Sequence, residues 1–406
     1  MRISDSVSCL PLSPEAADGV DPQCEIRNPR LNDPPCGKFC EGCFVARVSR
    51  RKFGRELIGG IVMSMGATGI TGARPPGEDA RRPSLTDVEG LLVGHHTLRE
   101  RPTGCTVVTS LRPFTAGADV RGGAPGTRET DLLRAENLIE KIHAIVLSGG
   151  SAFGLETAAG VSKYLEEQGR GFDVQVAKVP IVCGAILIDL RLGDAKIRPD
   201  ATAGYDAAKA ANASPVPEGN VGAGAGGTVG KLLGMGRAMK SGLGSWSLRR
   251  PDGITVGALI AVNCAGDVLD PARGKIIAGA RKTDGSGFAN ILEQLRKGYL
   301  PGAPFLENTA LGIVATNAAL SKAQCNKVAQ MAQDALARCI RPAHTPWDGD
   351  TVFAVSTGAW QNGNKPVEAG LIGALAADVL ETSILRAVEQ AESWGPYPSA
   401  KDFPKK

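Results

Sequence analysis

The chain has 406 residues, of which 43% are hydrophobic and 22% charged, with a formal net charge of +4. A chain of this size and balance buries a large core, and so small a positive charge, much of it near the N-terminus, excludes a basic nucleic-acid-binding surface. The 52 glycines set against 4% aromatic residues point to tight turns and close backbone contacts within one large domain.

Residues 1–83 read differently from the rest. Cys9, Cys24, Cys36, Cys40 and Cys43 lie among Pro, Asp and Asn without apolar periodicity. Three closely spaced cysteines suit zinc, but the paired spacing is incomplete and no histidine accompanies them, so no metal site is assigned. The segment is read as a leader, or as translation begun upstream of the true start. Ser49-Arg50-Arg51-Lys52-Phe53-Gly54-Arg55, the apolar run Leu57 to Met65 and the small residues near Thr71-Gly72-Ala73 follow the pattern of a twin-arginine export signal at about 49–73. A basic linker is the alternative. The run is too short and interrupted to be a stable membrane span. Cleavage after Ala73 would leave residues 74–406.

The globular part is expected from Ser84. Leu91 to His96 and Thr103 to Val108 read as strands; the adjacent His95 and His96 would face opposite sides and so make poor partners for one metal. A helix is expected after Thr130, carrying Leu132, Leu133, Leu138 and Ile142. Ala144 to Leu147 is a buried strand, and Ser148 to Gly154 turns into a helix ending near Gly169. The Ser151 turn lacks the second glycine of a nucleophile elbow, because Phe153 stands there. The glycine-rich run from Gly222 to Lys231 lacks both the first glycine of a phosphate loop and, with Leu232 next, the hydroxyl that would hold magnesium. No nucleotide is therefore expected.

Thr255 to Asn263 reads as a strand buried on both faces, ending on a side-chain amide able to donate to a developing oxyanion. Residues 265–305 read as an exposed connection. The polar pair Asn308-Thr309 stands before the apolar run Ala310 to Ala315, which places the Thr309 hydroxyl at the mouth of a buried strand. Within a chain that hydroxyl lacks a base; if the Asn308–Thr309 bond were cut, the new α-amine, with an ordinary pKa of about 7.7–8, would serve as one. Ser321 and Gln324 form a capping box opening a helix with Val328, Met331, Ala332, Ala335, Leu336 and Ile340 on its apolar face. Asp348-Gly349-Asp350 precedes the strand Thr351 to Thr357; no other ligand cluster accompanies the two carboxylates, and they are not read as a metal site. A final long helix runs through Leu371, Leu375, Val379 and Leu385.

Asn308-Thr309, Gly312 to Asn317 and the segment His344-Thr345-Pro346-Trp347-Asp348-Gly349-Asp350-Thr351 resemble the self-cleaving family of the DmpA-type L-aminopeptidase D-amidase/esterase, which also holds the β-peptidyl aminopeptidases. The junction and the Asp-Gly-Asp segment are more similar to its nylon-oligomer (6-aminohexanoate oligomer) endohydrolase branch. The resemblance spans about residues 84–392. It implies a layered α/β/β/α sandwich and a precursor that splits into residues 84–308 and 309–406. It further implies Thr309 as nucleophile, Asn263 at the oxyanion, Lys231 beside the nucleophile, and Asp348 and Asp350 on the threonine amine. Gly126, Thr127 and Arg128 would lie near the substrate, no cofactor would be needed, and the cleaved protomers would assemble as a homotetramer. One departure stands out: where the family places a tyrosine near the site, Gly184-Ala185-Ile186-Leu187-Ile188-Asp189 has none. The expected function is an aminopeptidase or amidase on short peptides; the alternatives are an endohydrolase of nylon-like oligomers and an uncleaved relative that binds small molecules.

Overall fold

The computed structural model describes residues 81–299, 308–361 and 366–403. These fall within one compact unit, Pro75–Lys406. The cysteine-containing leader and the paired-arginine segment lie outside the described residues.

Two layers of sheet are joined through one long strand. The first layer holds β1 (Leu91–Thr97), the N-terminal part of β2 (Gly104–Val120), β3 (Ile142–Ser148) and β4 (Val182–Ile186). The second holds β5 (Leu243–Arg249), β6 (Thr255–Asn263), β7 (Thr309–Thr316), β8 (Thr351–Ser356) and the C-terminal part of β2. The register of β2 slips between Thr109 and Phe114, so its first part pairs with β3 and its last part with β8; such an irregularity bends a strand from one layer into the next.

Period-2 alternation decides what each face covers. Along β6 and β7, Leu259, Ala261, Leu311 and Ile313 point between the sheets, where they meet Val108, Ile145 and Phe353. Val256, Ile260, Val262 and Val314 point outward beneath α3 (Lys322–Cys339) and α4 (Ala369–Glu389). On the far side, α1 (Thr157–Glu167) and α2 (Ala201–Lys209) cover Val107, Ala144 and Val146. The result is the expected α/β/β/α sandwich. Small residues set its tightness: a Cβ on Gly204 would stand 1.9 Å from the Thr157 carbonyl oxygen, so α1 and α2 cross in near backbone contact.

The capping box at Ser321 is present, with reciprocal bonds between Ser321 and Gln324. Two local expectations are corrected. After Thr130 there is a single 3-10 turn, Thr130–Leu133, and Ile142 opens a strand. The Thr130 hydroxyl pairs with Thr127 and caps nothing, while the ammonium of Lys322 collects the carbonyls of Leu132, Asn137 and Ile139. Carbonyls converging on one cation cannot also lie along a helix axis. The expected exposed connection carries buried structure as well: the strand Asp267–Asp270, the strand Lys275–Ala278 and the helix Ile291–Arg296. Buried Asp267 gathers it by accepting from Ala280 N and Ile291 N.

Candidate active site

β7 lies between β6 and β8, antiparallel to the first and parallel to the second. The β6 register places Asn263 opposite Thr309, and both residues follow the parity of Leu259, Ala261, Leu311 and Ile313. Their side chains therefore share the inter-sheet face at the sheet's end. On the other flank Asn308 bridges to Asp348. The residues at the two ends of a long stretch of chain, Lys231 and Asp350, thereby enter one cluster with Asn263, Asn308, Thr309 and Asp348. None of the six is more than 2% exposed.

The carbonyl oxygen of Asn308 accepts the Gly349 N–H at 2.8 Å and the Thr309 hydroxyl. The peptide bond before Thr309 is thus polarised by a backbone donor while the neighbouring hydroxyl lies against it. Gly349 is needed for the approach, because a Cβ there would stand 2.7 Å from Thr309 Oγ1 and 2.9 Å from the Ala124 carbonyl oxygen.

The two carboxylates are held differently. Asp350 accepts Ala310 N at 2.8 Å on Oδ1, and on Oδ2 the His344 backbone N–H at 3.1 Å, with His344 Nδ1 at 2.9 Å. Asp348 accepts Thr345 N at 2.7 Å on Oδ2, while its buried Oδ1 has no hydrogen-bond partner among the described residues. Burial, and then the neighbouring Asp350 charge, raise the Asp348 carboxyl from 3.8 to about 6. An unmet buried acceptor costs about 1–3 kcal/mol, so this oxygen is poised to receive a donor.

Lys231 meets Asn263. Its Nζ donates to Asn263 Oδ1 at 2.8 Å and to the Asn263 carbonyl at 3.1 Å, and Thr228 N reaches the same Oδ1 at 3.1 Å. With Oδ1 turned to the ammonium, Nδ2 becomes the donating end and reaches Ile188 O at 2.8 Å. The tyrosine-lacking segment therefore borders the oxyanion candidate through its backbone. That segment is anchored by Asp189, whose carboxylate takes Arg101 Nη2 and Gly150 N on Oδ1 and the Thr103 hydroxyl on Oδ2. Beneath the Gly222–Lys231 loop, fully buried Lys240 donates to Gly227 O at 3.0 Å and to Ser241 O at 2.5 Å; burial lowers its pKa to about 7.

Gly126, Thr127 and Arg128 follow Ala124, whose N–H donates to the Asp348 carbonyl oxygen at 2.8 Å. Thr127 and Arg128 pair with Ala185 and Gly184 at the sheet edge, and Gly126 O accepts Ile186 N. Among the described residues no hydrogen bond joins these three to Thr309, Asp348 or Asp350. His344 joins the cluster although it was not named as a site residue; its residue type and its place at the head of the segment ending in Asp350 were the available signs. Among the described residues no group of three or more His, Cys, Asp or Glu could hold a metal ion, and no helix is long and apolar enough to cross a membrane.

Comparison with known proteins bears on the same region. The model of Peptidase family S58 matches residues 83–397. An uncharacterized aminopeptidase of Mycobacterium leprae is 42% identical over 352 residues, covering 78% of this chain and 92% of that protein. A 6-aminohexanoate-oligomer endohydrolase of Kocuria sp. is 29% identical, with 75% of this chain and 85% of that protein covered. Among solved structures, the L-aminopeptidase D-Ala-esterase/amidase of Ochrobactrum anthropi has a TM-score of 0.56 at 19% identity, covering 80% of this chain and 91% of that one. A β-aminopeptidase of Burkholderia sp. has a TM-score of 0.54 at 24% identity, covering 76% and 86%.

Proposed function

We propose, because this chain belongs to peptidase family S58 and is an amide hydrolase of the aminopeptidase or amidase type, that it cuts itself between Asn308 and Thr309 and then uses Thr309 as its N-terminal nucleophile. The observation that carries this reading is the Asn308 carbonyl, held between the Gly349 N–H and the Thr309 hydroxyl.

In the first step Thr309 Oγ attacks the Asn308 carbonyl carbon, the C–N bond breaks, the hydroxyl proton passes to the departing Thr309 nitrogen, and an ester replaces the amide. Water then releases residues up to 308 and leaves Thr309 with a free α-amine. Asp348 and Asp350 orient that amine and relay its proton, and the Lys231 cation favours its neutral, basic form. With substrate, Thr309 Oγ attacks the amide carbonyl while the amine takes its proton and returns it to the leaving amine. The Asn263 amide, set by Lys231, stabilises the oxyanion. Hydrolysis of the acyl-enzyme completes the cycle. In the intact chain the nucleophile is 2% exposed, so access for substrate follows the cut.

The substrates that fit are short peptides and related amides, and a homo-oligomer of cut protomers, with export of the folded chain by the twin-arginine route, belongs to the same reading. N-terminal sequencing of each band on a denaturing gel tests the core of it. A fragment starting at Thr309, absent from Thr309→Ala, is the expected result; an intact wild-type chain refutes it. Hydrolysis of peptides with a free N-terminus but not of blocked ones marks an aminopeptidase; the reverse marks an endohydrolase like the Kocuria relative.

A further inference from the structure

We propose that His344 is a positioning residue for the nucleophile, acting through Asp350; this rests on the reading of Thr309 as the nucleophile. Among the chain's 4 histidines, His344 is the one in contact with a carboxylate of the catalytic pair. Its backbone has φ +56, in the left-handed region that Asn, Asp and His adopt more readily than other side chains. That conformation turns both its backbone N–H and its ring toward one carboxylate, that of Asp350.

The bonding identifies the donating atom. Asp350 Oδ2 takes the His344 backbone N–H at 3.1 Å and stands 2.9 Å from its Nδ1. A carboxylate oxygen that already takes a backbone N–H is an acceptor, so Nδ1 is the donating ring nitrogen in this contact. Nε2 is buried and without a partner among the described residues. The ring therefore commits its Nδ1 hydrogen bond to Asp350. The other oxygen, Oδ1, accepts Ala310 N, the amide directly after the nucleophile.

Three N–H donors thus fix the plane and rotation of Asp350, two of them from His344. A carboxylate left free to rotate would follow the Thr309 nitrogen; one that is pinned makes the nitrogen conform to it, with its lone pair directed at the hydroxyl proton. The remaining charged groups of the cluster, Asp348 and Lys231, are held by Thr345 N and by Asn263, so neither replaces this contact.

The test is a series at one position, read by the rate at which the fragment beginning at Thr309 forms, a measurement that requires no external substrate. His344→Gly keeps the left-handed backbone and removes the ring. His344→Asn tolerates the same backbone and puts an amide N–H near the place of Nδ1. His344→Gln puts its amide near the place of Nε2. The glycine variant is expected to cut about 10- to 100-fold more slowly, the loss of one hydrogen bond to a charged group, with Asn close to the parent rate and Gln as slow as Gly. After processing, kcat on a susceptible peptide amide falls in step while KM is unchanged. A glycine variant that cuts at the parent rate, or an Asn variant as slow as Gly, overturns the proposal. If the glycine variant does not fold, the Asn and Gln pair decides: equal rates overturn it. Parent protein that cuts while His344→Gly cuts equally well removes only His344, whereas parent protein that stays intact removes the Thr309 reading with it.

Discussion

Asp348→Asn, made in a Thr309→Ala background so that the chain stays intact, probes the electrostatic state of the site before cleavage. Burial and the adjacent Asp350 raise the Asp348 carboxyl from 3.8 to about 6. A carboxyl whose folded pKa is raised destabilises the fold when ionised: the cost is absent below the unfolded value, grows between 3.8 and about 6, and is complete above that window. Its full size is about 3 kcal/mol. Asparagine keeps an oxygen for Thr345 N but leaves a new amide to be satisfied at a cost of about 1–3 kcal/mol, so the expected net gain at pH 8 is about 0–2 kcal/mol. At pH 4, where most of the ionisation cost is gone, that gain should be lost. Urea unfolding of both variants at the two pH values measures this, and taking the difference between variants removes the common contributions of Asp267, raised to about 6, and His95, lowered to about 4. A difference that is the same at both pH values, or an Asn variant less stable at pH 8, would refute the reasoning. In the cut protein the sign should reverse, because the Thr309 amine supplies the donor that the intact chain withholds.

Three further outcomes are expected. Gly349→Ala brings a methyl to within 2.7 Å of Thr309 Oγ1 and should slow the appearance of the Thr309 fragment by about 100-fold; a time course at the parent rate contradicts the geometry. Asn263→Ala removes the amide that Lys231 orients, and kcat of the processed enzyme should fall about 100- to 1000-fold with KM little changed; steady-state kinetics with kcat preserved would remove Asn263 from the oxyanion role. Asp189→Asn unpairs fully buried Arg101 and should destabilise the fold by about 3–5 kcal/mol in urea titrations, whereas a loss under about 1 kcal/mol would show that the Leu192 and Ile197 carbonyls suffice for the buried guanidinium.

What could be read along the chain was whatever nearest neighbours and short periods decide. The strand ending at Asn263 announced itself by an uninterrupted β-branched and small apolar run, and the helix opening at Ser321 by two residues of a capping box. Thr309 was singled out by the resemblance of its segment to the self-cleaving family, since a hydroxyl directly before a buried strand is by itself too common to mark a nucleophile. The helix expected after Thr130 failed because its carbonyls answer to Lys322, far along the chain, and residues 265–305 carry buried structure because Asp267 gathers two separate amides. Register against β6 and β8 alone brings Asn263 and Asp348 to Thr309, and the fold alone turns Lys231 toward the Asn263 amide and His344 toward Asp350. The residue types and their local backbone preferences are thus properties of the sequence, since they depend on atoms a few bonds away. The raised affinity of Asp348 for a proton, the orientation of the Asn263 amide and the pinning of Asp350 belong to the tertiary structure, since desolvation and hydrogen-bond direction exist only once distant segments have excluded water from one another.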